Sequence, residues 1–554
     1  MMYKWLQEKI TEALPDILFN VFMPPSPTMG DYATNAALSA TKKSNSNVRD
    51  IAEQLARTLE KSGGERIEKC QVAGPGFVNI FLRTDWLQNE LLEISRKDAW
   101  GNNERLSGKH ILVEYTDPNP FKQFHIGHLM TNTIGESIAR LKEASGAEVT
   151  RINYQGDVGV HVACAVWGMQ KLKDEMPASG ATLSEKSAFL GKAYARGAIA
   201  YRDDTLAKEE INKINDAIYA WSDAAINKLY DQGRQWSLDA FEIIYARLGT
   251  KFDKYFFESE TGRRGLEVVR EHSDVFTQSQ GATIFEGEKY GLHTRVFINA
   301  RGLPTYEAKE LGLNQMKADE FHPDKSIIVT ANEVNEYFRV LKKVMELTIP
   351  EVGSRTNHIG HGMLKLPSGK MSSRTGDVVS AESLFDEVAK HIEDSGIITH
   401  ETEALTIAAI RYSILKQGIG SDIIFDFKES IALTGDSGPS LQYARARLMS
   451  IIEKVGQASD AVQKLSDPQE RILMRHLLDF PYAIDRASTE YSPNILALYL
   501  RELAEHTNRY YEQTRILDDE DVSRKGARIL LISVVARVLA HGLLLLGISS
   551  PDRL

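Results

Sequence analysis

Glu114-Tyr115-Thr116-Asp117-Pro118-Asn119-Pro120-Phe121-Lys122-Gln123-Phe124-His125-Ile126-Gly127-His128 is the stretch that decides the fold, and a helical pattern continues from it to Leu141. Upstream, His110-Ile111-Leu112-Val113 is short, apolar and partly β-branched, as a buried strand is, and Pro118 and Pro120 forbid its simple continuation. Downstream, Met130, Ile134, Ile138 and Leu141 recur at four- and three-residue steps, as one face of a helix does. His125 and His128 therefore open a helix, where unpaired backbone N–H groups and the positive dipole end favour phosphate. Gly127 between them lets a flat base or ribose approach the backbone. The strand, elbow and helix read together as a nucleotide-binding turn.

The same tetrad recurs at His358-Ile359-Gly360-His361. That copy runs into Gly362-Met363-Leu364-Lys365-Leu366-Pro367-Ser368-Gly369, with glycines and a proline where a helix would begin, so it reads as strand and loop. Only the first copy is an elbow.

The chain of 554 residues has room for roughly three or four domains. With 42% hydrophobic and 26% charged residues it has the composition of a globular protein with a sizeable core. A net charge of -10 argues against indiscriminate coating of nucleic acid, though not against a local basic face. Two cysteines, Cys70 and Cys164, stand outside any zinc-ribbon or disulfide pattern, as expected of a reducing cytoplasm. The N-terminus lacks the apolar core of a signal peptide. Ile529 to Ile548 approaches the length of a membrane span but contains Arg537 and His541, so a buried C-terminal helix is expected there and no membrane partner.

In chain order, residues 1–95 read as a small α+β module. An opening helix carries Trp5, Ile10 and Leu14, a turn at residues 30–35 feeds further helix, and a strand alternates from Phe77 to Leu82. Phe77 and Asn79 share one face of that strand; a ring beside an amide suits an unpaired base, but spacing alone favours packing in the module's core. Residues 96–435 then alternate strand-like and helix-like segments, as an α/β sheet does. Val149 to Tyr154 is the next strand, and Asp157 follows its C-terminal end, where ligands of parallel sheets gather. A helical, charged insertion is expected at about 162–290. Further strands follow at 290–293, 295–299 and 326–330, with Tyr306 and Glu310 four apart on one helical face. Gly369-Lys370-Met371-Ser372-Ser373-Arg374-Thr375-Gly376 is a glycine-flanked basic loop suited to polyphosphate. Residues 436–554 read as all-helical, electrically balanced and arginine-rich, with Tyr443, Tyr510 and Tyr511 interleaved, as an RNA-contacting bundle would be.

The elbow His125-Ile126-Gly127-His128 with the loop Lys370-Met371-Ser372-Ser373-Arg374 resembles the paired motifs of class I aminoacyl-tRNA synthetases. Within that class the chain resembles the arginyl-tRNA synthetases. The likeness extends from Gly30-Asp31-Tyr32-Ala33-Thr34-Asn35 and Ala73-Gly74-Pro75-Gly76-Phe77, through Pro118-Asn119 and Tyr306, to Gln442-Tyr443-Ala444-Arg445-Ala446-Arg447. It implies a Rossmann-type catalytic core, a D-loop-contacting N-terminal domain and a helical anticodon-binding domain in a cytoplasmic monomer. The implied reaction makes arginyl-adenylate from arginine and ATP with Mg²⁺, without zinc, then transfers the arginyl group to tRNA(Arg). Activation is expected to require bound tRNA.

Carried over residue by residue, the resemblance implies His125, His128, Lys122 and Lys370 as catalytic groups. Gly127, Gly360, His361, Met363, Met371, Ser372 and Arg374 join Lys370 around ATP. Glu114, Asn119, Asp157, Tyr306, Glu310 and Glu333 surround arginine, whose five donors demand a fork of acceptors. Phe77 and Asn79 face the D-loop, reversing the core assignment of Phe77, and Tyr443 and Arg447 face the anticodon. Several positions depart from the family pattern. Ser373 replaces the motif's second lysine, with Lys122 matching a family lysine three residues before the first histidine. Glu310 stands where aspartate is usual, Glu333 where glutamine is, and Ser440 where a tyrosine is, and His161 lies in a segment lacking the common tryptophan and glutamine. A cysteinyl-type synthetase would need a zinc site that this chain's cysteines do not supply. A smaller nucleotidyltransferase would leave both flanking domains unexplained, and an inactive RNA-binding paralogue would not need intact His125, His128 and Lys370.

Overall fold

His110–Glu114 is buried from Ile111 onward and lies at the centre of a five-stranded parallel sheet in a computed structural model that describes residues 2–24, 26–41, 47–366, 379–397, 399–455 and 458–554. Glu148–Gln155 and then Lys254–Phe257 add on one side of it, and Lys325–Ala331 and then Thr356–His361 on the other. The order reverses between His110–Glu114 and Lys325–Ala331, so their C-terminal ends open the crevice where ligands of such sheets bind. The second tetrad is the last of these strands, as the sequence reading has it.

The elbow helix, Ile126–Ala144, is buried well beyond the apolar stripe of its sequence: Asn132, Thr133, Glu136, Ser137 and Lys142 are enclosed too. Burial of the charged Glu136 requires partners. Glu136 receives Arg140 at 2.6 Å, Arg151 at 3.2 Å and the hydroxyl of Tyr115.

Helices Glu258–Glu271 and Tyr306–Phe321 cross at glycines. A Cβ on Gly265 would fall 1.8 Å from the Ala308 carbonyl oxygen, and one on Gly312 would fall 2.2 Å from that of Thr261. The insertion is four helices, Val160–Lys171, Leu183–Asp203, Thr205–Ala220 and Ala224–Leu248, around a core that includes Trp167, Phe189 and Trp236. It ends well before residue 290. Lys254–Phe257 returns to the main sheet, too short for its alternation to stand out in a charged stretch, and Lys254 guards this edge with Glu320 at 2.7 Å. Residues 290–293 form no strand, because a 3-10 turn over Gly287–Tyr290 ends at Gly291 with φ 69°. Arg295–Ile298 pairs antiparallel with Ala282–Phe285.

The chain divides into two units: Glu104–Ile397 with Ser413–Lys428, just described, and Met1–Asn103 with Ile398–Tyr412 and Glu429–Leu554. In the latter, a four-stranded antiparallel sheet carries Tyr32–Thr34 next to Phe77–Leu82. Residues 32–34, expected as a turn, are thus a buried strand. The sheet meets helix Pro468–Thr489 through polar contacts: Tyr32 donates to Asp479 at 2.6 Å, and Arg471 grips Asp31 at 2.6 Å. Val522–Leu545 is long and apolar enough to cross a membrane, yet most of its apolar residues are buried against the helices around it, with Val522 and Leu544 left exposed near its ends. Arg537 donates to the carbonyls of Ile94 and Ser95, and His541 bonds the Trp100 carbonyl.

Candidate active site

The turn from strand to helix is built from residues that rarely adopt its conformation. Thr116, Asp117 and Phe121 have φ of 80°, 45° and 68° without being glycine, and such outliers persist only where the surroundings hold them. The Tyr154 amide donates to Asp117 at 2.8 Å, Asn132 donates to Thr116 at 3.0 Å, and the Phe121 amide donates to Ser237 at 2.8 Å.

His125 then caps the helix. Its Nδ1 accepts from the amides of Gly127 at 3.1 Å and His128 at 3.4 Å, while His128 Nδ1 accepts from the His125 amide at 3.3 Å. The rings stack at 3.6 Å. The first helical amides, expected to await phosphate, are therefore occupied by the histidines themselves. This network also assigns the tautomer: with each Nδ1 accepting, the neutral ring carries its proton on Nε2 as a donor. Burial, then the nearby Lys122 ammonium, pushes His125 down to about 4, and burial with His125 beside it holds His128 well below the usual histidine value. Both act as neutral donors. Gly127 serves the cap, since a Cβ there would lie 2.9 Å from the His125 ring.

His125, Gly127, His128, Met130 and Thr131 line a cleft of about 400 Å³ with His361 and Met363 opposite. His361 donates from Nδ1 to the Gly362 carbonyl at 2.6 Å, and its Nε2 meets Thr131 at 2.8 Å. In the second tetrad, strand alternation sends the two histidines to opposite faces. His358 stacks on Phe338 at 3.9 Å, away from His361. Gly360 shares that far face: a Cβ there would fall 2.0 Å from Asn335 Oδ1, so this residue, expected at the nucleotide, instead admits the helix Asn335–Thr348. Lys370, Met371, Ser372 and Arg374 lie outside the described residues.

A second cleft, of about 660 Å³, opens at the reversal of strand order. The structure brings Glu114, Asn119, Tyr306, Glu310 and Glu333 together there, and adds Asp117, Glu258 and Glu307, which the sequence reading did not single out. Glu114 is paired with Lys317 at 2.8 Å, both almost fully buried, and Glu258 with Lys309 at 2.6 Å. Glu310 Oε2 is buried without a hydrogen-bond partner. Burial and the charge of Glu114 raise both Asp117 and Glu310 well above the usual carboxylate range. Asn119 fits over Gly156, where a Cβ would come 2.2 Å from its Oδ1. Asp157, expected among the acceptors for arginine, does not line this cleft. Its oxygens are taken by Tyr230 at 2.9 Å, Arg234 at 3.2 Å, and the amide and hydroxyl of Ser259 at 2.9 and 2.8 Å. It ties the insertion to the start of helix Glu258–Glu271.

Lys122 sits apart from the histidine cleft, in a cavity of about 580 Å³ with His161, Tyr194, Tyr201, Tyr219, Tyr306 and Lys309. Its ammonium lies 5.2 Å from the Tyr194 ring centre, and burial lowers its pKa. His161 Nε2 is bonded to the Gly156 carbonyl at 2.9 Å. In the other unit, Phe77 and Asn79 are half-buried on one strand face, with Val78 and Ile80 in the core. The Arg447 guanidinium lies 3.8 Å from the Tyr511 ring and 5.5 Å from that of Tyr443. Ser440, in place of the family's tyrosine, is buried and donates to backbone carbonyls. Among the described residues, no group of three or more His, Cys, Asp or Glu is placed to hold a metal ion.

Comparison with known proteins agrees over the whole length. Three family models match: arginyl tRNA synthetase N terminal domain over residues 4–82, tRNA synthetases class I (R) catalytic domain over 90–427, and DALR anticodon binding domain over 441–554. The arginine--tRNA ligase of Treponema denticola is 29% identical over 97% of this chain and 95% of its own. That of Treponema pallidum is 30% identical over 93% and 91%. Among solved structures, Thermus thermophilus arginyl-tRNA synthetase superposes with a TM-score of 0.83 at 24% identity, covering all of both chains.

Proposed function

The chain belongs to the arginyl-tRNA synthetase family and ligates arginine to tRNA with ATP as substrate, and on that premise we propose how its two clefts divide the reaction. The observation that carries this reading is their shared wall: Asp117, His128, Thr330, Ala331 and Glu333 line both. The acidic cleft takes the guanidinium of arginine between Glu114 and Glu310, with Asn119, Tyr306 and Glu333 around the rest of the substrate. The histidine cleft takes ATP, its base towards His361 and Met363. At the junction, a carboxylate oxygen of arginine bonds to the α-phosphorus as the bond to pyrophosphate breaks. The terminal ribose hydroxyl of tRNA(Arg) then attacks the arginyl carbonyl, loses its proton and expels AMP.

Such a displacement needs positioning and donors aimed at developing negative charge. The Nε2–H groups of His125 and His128 supply such donors, and the loop cations Lys370 and Arg374, with Met371 and Ser372, meet the phosphates. Lys122 acts from its own cavity, where its charge helps keep both imidazoles neutral. Mg²⁺ arrives as the ATP complex. Phe77 and Asn79 contact the D-loop, and Tyr443 and Arg447, with Tyr511 beside them, contact the anticodon. We place the enzyme in the cytoplasm as a monomer. The test is pyrophosphate exchange in the presence of cognate tRNA: exchange with arginine is expected, whereas exchange with cysteine instead, or with no amino acid, overturns the reading.

A further inference from the structure

The inner wall of the acidic cleft is out of electrostatic balance. Glu258 has Lys309, and Glu307 has Arg295 at 3.7 Å. Glu333 lies at the mouth shared with the histidine cleft. Deeper in, Glu114, Asp117 and Glu310 have Lys317 as their shared cation, and it is committed to Glu114 Oε2. Glu258 adds its negative charge beside Glu310, and the remaining groups there are neutral: Tyr154 and Tyr337, both with hydroxyls held far from ionisation, and His128, held unprotonated. Three carboxylates against one ammonium in a buried space cannot all stay ionised, because an unpaired buried charge is costlier than a bound proton. Glu310 carries the mark of this, an inner oxygen with no partner.

We propose that arginine enters this cleft in exchange for a proton, given up by the Glu310–Asp117 pair, and that Lys317 is the positioning residue that holds Glu114 ready and sets the pH of the exchange. The proposal rests on the reading of this cleft as the arginine site. The O–H bond broken is that of a carboxyl group, its proton passes to the solvent, and the new carboxylate accepts N–H bonds from the guanidinium. Arginine stays protonated throughout, since its pKa lies above about 12. Lys317 reaches Glu114, behind the cleft wall, from the same face of helix Tyr306–Phe321 as Glu310, two turns on. Its ammonium counts against protonation of both Asp117 and Glu310. The inner wall of the empty site thereby carries one net negative charge and gains its second only when a guanidinium is there to meet it, which disfavours neutral amino acids.

Calorimetric titration of arginine into the full chain, with cognate tRNA bound, in buffers of different ionisation enthalpy between about pH 5 and about pH 9 tests this directly. Release approaching one proton per arginine is expected in the lower part of the range, fading at the upper end, with affinity rising by up to about tenfold per pH unit where release is full. Glu310→Gln should still bind arginine, more weakly, with most of the release gone. Lys317→Met should move the release to higher pH, and Lys317→Arg should restore it. Saturable arginine binding with no proton released at any pH overturns the exchange while leaving the site reading intact. Absence of arginine binding by the wild-type chain overturns both.

Discussion

At the scale of single residues, the two elbow histidines do something their spacing does not announce. A His-x-Gly-His string at a strand-to-helix turn marks a phosphate site, and the place of both histidines at the start of a helix was legible from the helical period that follows them; that His125 caps it was not. The reciprocal acceptance by both Nδ1 atoms was not, because it depends on ring orientation, and it turns the imidazoles into neutral donors. His125→Asn keeps a good helix cap and removes the Nε2 donor. Adenylation in a single turnover should fall by roughly 100-fold, as for loss of one oriented transition-state donor. His125 is depressed to about 4, so in the unfolded chain it takes up a proton near its usual value of 6.5, before the folded chain does. Its contribution to stability is present above about pH 6.5 and lost as pH falls towards 4. Denaturant titrations of His125→Asn should therefore show a shallower acid slope than wild type; an unchanged slope would contradict the half-buried, neutral histidine.

At the scale of elements, the helix Tyr306–Phe321 links several parts of the site: Tyr306 and Glu310 reach the cleft, Lys309 pairs with Glu258, and Lys317 pairs with Glu114. The i, i+4 relation of Tyr306 and Glu310 was readable from sequence. The lysine pairings were not, since their partners lie tens to hundreds of residues away. The same limit hid Asp117 and Glu258, and let Asp157 pass for a ligand when its strand-end position in fact serves the joint with the insertion. Gly265 and Gly312 went unread for a related reason: a glycine's packing role depends on the helix that crosses it. Gly265→Ala forces the two helices apart, and a loss of about 1–3 kcal/mol in unfolding free energy is expected, together with a higher KM for arginine. A variant with wild-type stability and KM would show that the crossing tolerates a methyl group.

At the scale of the whole molecule, the order of an α+β module, an alternating sheet and a helical bundle was legible because each has its own periodicity. The insertion's end was misplaced because a four-residue edge strand, Lys254–Phe257, is too brief to announce itself. That the N-terminal sheet and C-terminal helices share one unit was invisible in sequence, since the partners of the Asp31–Arg471 pair stand 440 residues apart. Asp31→Ala removes Arg471's carboxylate partner, and a destabilisation of about 1–3 kcal/mol is expected for losing charge-assisted bonds of this kind, read as an earlier transition for that unit in denaturant. The molecule's central property is the pairing of an acidic chamber with a neutral-donor chamber across one wall, and Glu114 is the residue that most cleanly separates them. Equilibrium titration of Glu114→Gln with arginine and, separately, with ATP tests that division most directly. Arginine affinity should fall by about 10- to 100-fold, the cost of a lost charged partner, while ATP affinity stays close to wild type; equal losses for the two ligands would contradict it.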